Sequence, residues 1–150
     1  MFRKFLIFFI ALMLCFNLFT LPSISETVPE CNGHEEIFTF KLPNYAIQHQ
    51  GGAILNLKVA YRLTAEAIDQ KDYPDLMSVK KDIDNFFISY ANETDYWEIL
   101  NKNLVQFILD KYLQISSLKI EMGVMPTLNE PLFRASIVRS TRPEMCSLRL

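Results

Sequence analysis

Two hydrophobic periods alternate along this chain. From Ile37 to Leu42, the apolar residues Phe38, Phe40 and Leu42 alternate with Thr39 and Lys41. A period of two is the mark of a strand with one wet face. Pro43 to Gly52 reads as a loop closed by Gly51-Gly52, residues suited to a tight turn. Alternation resumes from Ile54 to Leu63. Leu55, Leu57, Val59, Tyr61 and Leu63 share one face, and Asn56, Lys58 and Arg62 the other. Two adjacent one-sided strands predict an antiparallel pair. The period then lengthens. Leu76, Val79, Ile83, Phe86, Phe87 and Tyr90 fall at three- and four-residue steps, one stripe of an amphipathic helix. Asp72, Pro74 and Asp75 precede it, where acids oppose the helix dipole and proline is tolerated. Asn92-Glu93-Thr94-Asp95 offers cap residues for a second helix, whose stripe is Tyr96, Leu100, Leu104, Phe107, Ile108 and Tyr112. Period two then returns. Leu118, Ile120, Met122 and Val124 alternate with Lys119 and Glu121, and Phe133, Ala135 and Ile137 with Arg134 and Ser136 across a turn at 126–131.

A four-stranded antiparallel sheet with one apolar face and two helices with one apolar stripe each bury both by stacking. The expected fold class is therefore two-layer α+β, with the helices on one face of the sheet. The order is strand-strand-helix-helix-strand-strand. The free edges of such a sheet invite pairing between copies, so a homo-oligomer is expected.

The first 25 residues carry a different message. Phe2-Arg3-Lys4 is a basic start, Phe5 to Phe19 is apolar except for Asn17, and Ser23 and Ser25 are small. The pattern reads as a cleaved export signal, shorter than the ~20 apolar residues a bilayer span needs. An uncleaved anchor and lipidation at Cys15 are the alternatives. Residues 26–150 then form one domain with its core at 35–140, in the periplasm or secreted, with no membrane span left. Removing Arg3 and Lys4 from 15 basic residues against 17 acidic ones leaves a net charge of −4. The longest basic run is Lys80-Lys81, so nucleic acid is not an expected partner. Cys31 and Cys146 bracket the domain, and export favours a disulfide between them. With only two histidines in the chain, no metal site and no phosphate-binding loop or hydrolytic triad is indicated.

Three stretches resemble a known family. Asp72-Tyr73-Pro74-Asp75-Leu76, Tyr96-Trp97-Glu98-Ile99-Leu100 and Leu118 to Pro126 lie within residues 54–126. They are similar in order and spacing to segments of the dihydroneopterin aldolases, members of the tunnelling (T-fold) superfamily. The resemblance covers about half of the exported chain. It implies a planar pterin- or purine-like ligand held at a subunit interface, with no cofactor. Glu98 would anchor the ligand, since a carboxylate offers two acceptors to two parallel donors. Trp97 would stack on the ring. Tyr73 would take the catalytic tyrosine's place, reaching in from a neighbouring subunit. The chain departs from the family where a lysine precedes the closing proline, because Met125 or Val124 stands there. The family's acidic residue in the first loop is also missing, with Gln48 and His49 nearby. These departures favour a binding platform over aldolase-type lyase chemistry. The alternative is a non-enzymatic exported module for assembly or protein interaction. Arg134 and Arg139 read as solvated, or as partners of an acid across a subunit interface.

Overall fold

Four antiparallel strands lie side by side in chain order, and three helices fill the crossover between the second and third. The structure is a computed structural model that describes residues 36–143, Met145 and Cys146. The expected export signal and Cys31 lie outside the described residues. The strands are β1 (Ile37–Ile47), β2 (Ala53–Leu63), β3 (Ile115–Val124) and β4 (Arg134–Thr141). The helices are α1 (Ala65–Gln70), α2 (Leu76–Ser89) and α3 (Trp97–Lys111). The architecture is α+β.

β2 and β3 follow their alternation. Leu55, Leu57, Val59, Tyr61 and Leu63 of β2 and Leu118, Ile120, Met122 and Val124 of β3 are buried beneath the helices. The helical stripes meet this face through Val79, Ile83 and Phe86 of α2 and through Leu100, Leu104, Val105 and Ile108 of α3.

Four local features differ from the sequence pattern. β1 runs on through the expected loop to Ile47, with a register shift between Leu42 and Tyr45. Pro43 has no N–H to give, Asn44 takes φ 51°, and its N–H donates to Asn56 Oδ1 at 3.0 Å. An edge strand accommodates proline at such a bulge. The short helix α1 is an addition to the two expected. Thr64 caps it by accepting the Ala67 N–H at 3.1 Å. α3 begins later than its cap residues suggest, at Trp97, behind a Tyr96 N-cap that makes no side-chain cap bond. Asn92 and Asp95 instead build the preceding turn. Asn92 Oδ1 accepts from Thr94 Oγ1 at 2.9 Å, and Asp95 from Tyr90 Oη at 2.5 Å.

The fourth difference is the phase of β4. Register places Ser136, Val138 and Ser140 opposite Met122, Ile120 and Leu118, on the helix side. Ser136 is buried, whereas Ile137 is 60% exposed and Phe133 58%. The cause is Asn101 of α3, which is fully buried and donates through Nδ2 to the carbonyls of Ile120 at 3.1 Å and Ser136 at 3.0 Å. A buried amide demands polar partners, and a serine beneath it suits that demand better than isoleucine. Phe133 folds onto the outer face over Gly123, where an added Cβ would stand 2.8 Å from the ring.

Asp82 ties α2 to the end of α3. It accepts from Tyr112 Oη at 2.5 Å and from Lys111 Nζ at 2.5 Å. Its carboxyl is held below its ordinary value of 3.8, first by the Lys111 bond and then by Tyr112. A depressed folded value means stability that is present above the unfolded pKa of about 4 and lost as pH falls through the folded value. Asp82→Asn is therefore expected to cost about 1–2 kcal/mol at pH 7 and to flatten the acid limb. Urea unfolding between pH 7 and 3 checks this; an unchanged acid limb would remove Asp82 from the account.

Candidate functional site

The β1–β2 turn and the start of α3 converge at one end of the sheet. Gly51 and Gly52 hold φ of 84° and 100°, conformations that side chains disfavour, and the Gly52 N–H closes the turn on His49 O at 3.0 Å. Gln50 clamps the turn to the segment before α3. Its N–H bonds Glu93 O at 3.1 Å and its Nε2 bonds Asp95 O at 2.7 Å. His49 is buried and donates through Nε2 to Asp95 O at 2.9 Å. Its ring lies edge-on to Trp97, 4.8 Å between centroids. This histidine is a packed strut, not an accessible base.

Against that frame opens a cleft of about 510 Å³. Gln50, Ala53, Trp97, Met125, Glu130 and Arg134 are among the residues that line it. Glu130 and Arg134 form an ion pair across one turn of chain. Arg134, read from sequence as solvated or as an interface residue, thus has its acidic partner in its own chain. Met125 takes the place of the resembled family's lysine, and its Sδ accepts from Asn56 Nδ2 at 3.0 Å. A thioether neither titrates nor donates, so it supplies no acid or base there.

Trp97 is 6% exposed, and its indole Nε1 is buried with no partner among the described residues. One helical turn on, the buried Asn101 Oδ1 is in the same condition. A donor and an acceptor four residues apart share one helix face. Buried polar atoms without partners are exceptions in native structures, and water or a bound molecule ordinarily satisfies them.

The other expected site residues are dispersed. Glu98 is exposed and makes no hydrogen bond or ion pair among the described residues, with Lys102 or any other group. It adjoins Trp97 in sequence but does not line the cleft. Tyr73 is 44% exposed and leans on Phe38, 5.8 Å between ring centroids. Its hydroxyl is pushed above the usual tyrosine value, first by desolvation and then by Glu36. Phe38 pairs with Tyr61, while the cleft begins at Ala53. Eight residues of strand at ~3.3 Å each put Tyr73 about 25 Å from Trp97. The two cannot meet on one ligand within a protomer.

Cys146 is disulfide-bonded; Cys31, its expected partner, lies outside the described residues. Among the described residues no group of three or more His, Cys, Asp or Glu is arranged to hold a metal ion, and no helix is long and apolar enough to cross a membrane. The sequence pointed to the helix start but not to Gln50, Glu130 or Arg134. These come from the β1–β2 turn, the β3–β4 connection and the start of β4, which only the sheet brings together. Compared with known proteins, the chain matches no family profile and no curated protein.

Proposed function

We propose that this chain is an exported T-fold-like binding subunit that holds a planar, pterin- or purine-like heterocycle in the cleft beside Trp97. The observation that carries the reading is the buried indole N–H of Trp97, left without a partner in the residue that walls the cleft. A heterocycle rich in acceptors and donors suits such a group, and the aromatic wall suits its ring face. Glu98, exposed at the same helix start, is available to a ligand that extends out of the cleft or to a neighbouring subunit. Tyr73 joins the site only from another subunit, because about 25 Å separates it from Trp97. The free edges β1 and β4 give a route to such an assembly. Aldolase chemistry is not part of the proposal, since Met125 replaces the lysine and His49 is buried and committed.

A second reading is favoured by one observation. Leu128, Leu132, Phe133 and Ile137 are all exposed along the β3–β4 connection and β4. Clustered exposed apolar residues mark contact surfaces. An assembly or protein-interaction module without a small ligand would use them.

Calorimetric titration of the folded exported chain with neopterin, and separately with xanthine, tests the first reading. Saturable binding is expected, and Trp97→Phe, which removes the indole N–H and keeps a ring, is expected to weaken it about two- to tenfold, the worth of one neutral hydrogen bond. Absence of binding to a folded oligomer would leave the assembly module.

A further inference from the structure

The face of the sheet turned away from the helices carries an unusual charge. Register aligns three rows across it. One is Ile37, Arg62, Ser117 and Thr141; the next is Thr39, Ala60, Lys119 and Arg139; the third is Lys41, Lys58, Glu121 and Ile137. Among the described residues, five cations stand there with one carboxylate, Glu121; Arg62 and Arg139 each hold a further interaction of their own. By contrast, residues 64–112, which hold all three helices, have ten acidic residues and five basic ones. A chain of net charge −2 thus concentrates positive charge on a single surface.

Two features set this patch apart from an ordinary solvated face. Lys41 lies directly opposite Lys58, and Lys119 directly opposite Arg139. Like charges in cross-strand register are destabilising, yet two such pairs stand in adjoining rows. Lys58 is relieved by its 2.6 Å bridge to Glu121. Lys41 and Lys119 make no hydrogen bond or ion pair among the described residues. Between the lysines the surface sinks over the small side chain of Ala60, leaving a depression of about 230 Å³ that Thr39, Lys41, Lys58, Lys119 and Glu121 surround.

We infer that this sheet face docks an anionic glycan, a polysaccharide bearing repeated sulfate or phosphate esters. The depression over Ala60 seats one ester group among Lys41, Lys58 and Lys119, and the flanking Arg62 and Arg139 extend the positive field along the polymer. Steps of ~6.8 Å along the strands and ~4.8 Å between them spread the cations over a patch about 14 Å on a side. That extent matches a chain of anions better than a single ion. The three rows contain no aromatic ring, and Phe133 beyond them over Gly123 is a single ring rather than the series on which successive bases of single-stranded nucleic acid stack. They also lack the apolar pocket that anchors a protein partner, Ile137 lying at the β4 end of its row. The exposed hydroxyl of Thr39 at the rim of the depression suits a sugar's hydroxyls.

The test is binding of the folded, disulfide-intact chain to heparin at about 50 mM salt, with affinity falling steeply as salt rises through counterion release. Lys41→Gln with Lys119→Gln is expected to weaken binding at least tenfold. Its melting temperature is expected to be unchanged or raised, because the substitutions remove both like-charge contacts. Lys81→Gln with Lys102→Gln, on exposed positions of α2 and α3, makes the same net-charge change and is expected to alter binding less than twofold. Polyglutamate and single-stranded DNA of equal charge are expected to bind at least tenfold more weakly than heparin. No heparin binding by the folded chain, or equal losses from both double variants, would overturn the docking face. Equal or tighter binding of DNA or polyglutamate would overturn the glycan as its occupant. Displacement by millimolar inorganic phosphate would reduce the face to a small-anion site.

Discussion

Cys146→Ser is expected to lower the unfolding free energy by about 4–5 kcal/mol, the largest single effect in this protein. Cys146 is disulfide-bonded, and the chain's other cysteines are Cys15 and Cys31. Either partner closes a loop of more than a hundred residues. Loop-closure entropy grows only with the logarithm of length, so the two partners predict nearly the same stabilisation. Denaturant unfolding of the wild type with and without reductant, beside the serine variant, measures it. A loss below about 1 kcal/mol would mean that the bridge restrains little of the unfolded chain. Non-reducing peptide mapping identifies the partner. Cys31 is expected; recovery of Cys15 would show that the leader is retained and would overturn cleavage of the export signal.

Asn101→Ala is expected to cost about 2–3 kcal/mol. The side chain is fully buried, and its Nδ2 reaches two strand carbonyls and Ser136 Oγ, at 3.0 to 3.2 Å. Deleting it leaves those acceptors facing an apolar hole, and an unmade buried hydrogen bond costs more than a made one contributes. The loss belongs to the contact between α3 and the two strands β3 and β4. A double-mutant cycle with Ser136→Ala is expected to show coupling of about 0.5–3 kcal/mol. Independent, additive losses would show that Asn101 acts through volume alone.

Period was a reliable guide wherever one face was wholly apolar. β2, β3 and most of both helical stripes lie where the pattern places them, because burying those stripes is the dominant favourable term in folding; Leu76 and Tyr96, at the helix starts, are the exposed exceptions. The pattern failed where a polar residue had an internal partner. β4 turns Ser136 inward and Ile137 outward because Asn101 needs hydrogen bonds. No count of apolar positions in β4 can reveal a request made by a helix more than thirty residues earlier. The same holds for the caps of α3. Asn92 and Asp95 are good cap residues by type, but their side chains are spent on Thr94 and on Tyr90. His49 does lie in the β1–β2 turn, as its place beside Gly51-Gly52 implies, but packing makes it a buried strut.

Chain order and periodicity alone therefore specified the α+β class, the antiparallel pairing and most of the core, since alternation and amphipathic stripes are local properties. Tertiary structure alone decided the cleft and the charged face. The cleft needs the β1–β2 turn, the start of α3 and the end of β3 with the connection leading into β4, stretches that meet only when the sheet forms. The cations of the outer face are scattered between residues 41 and 139 and never adjoin one another in the chain. Strand register, which turns alternate residues to one side and sets them about 5 Å from their neighbours, gathers them into one surface. Separation in sequence hides such a patch from any reading of charge runs.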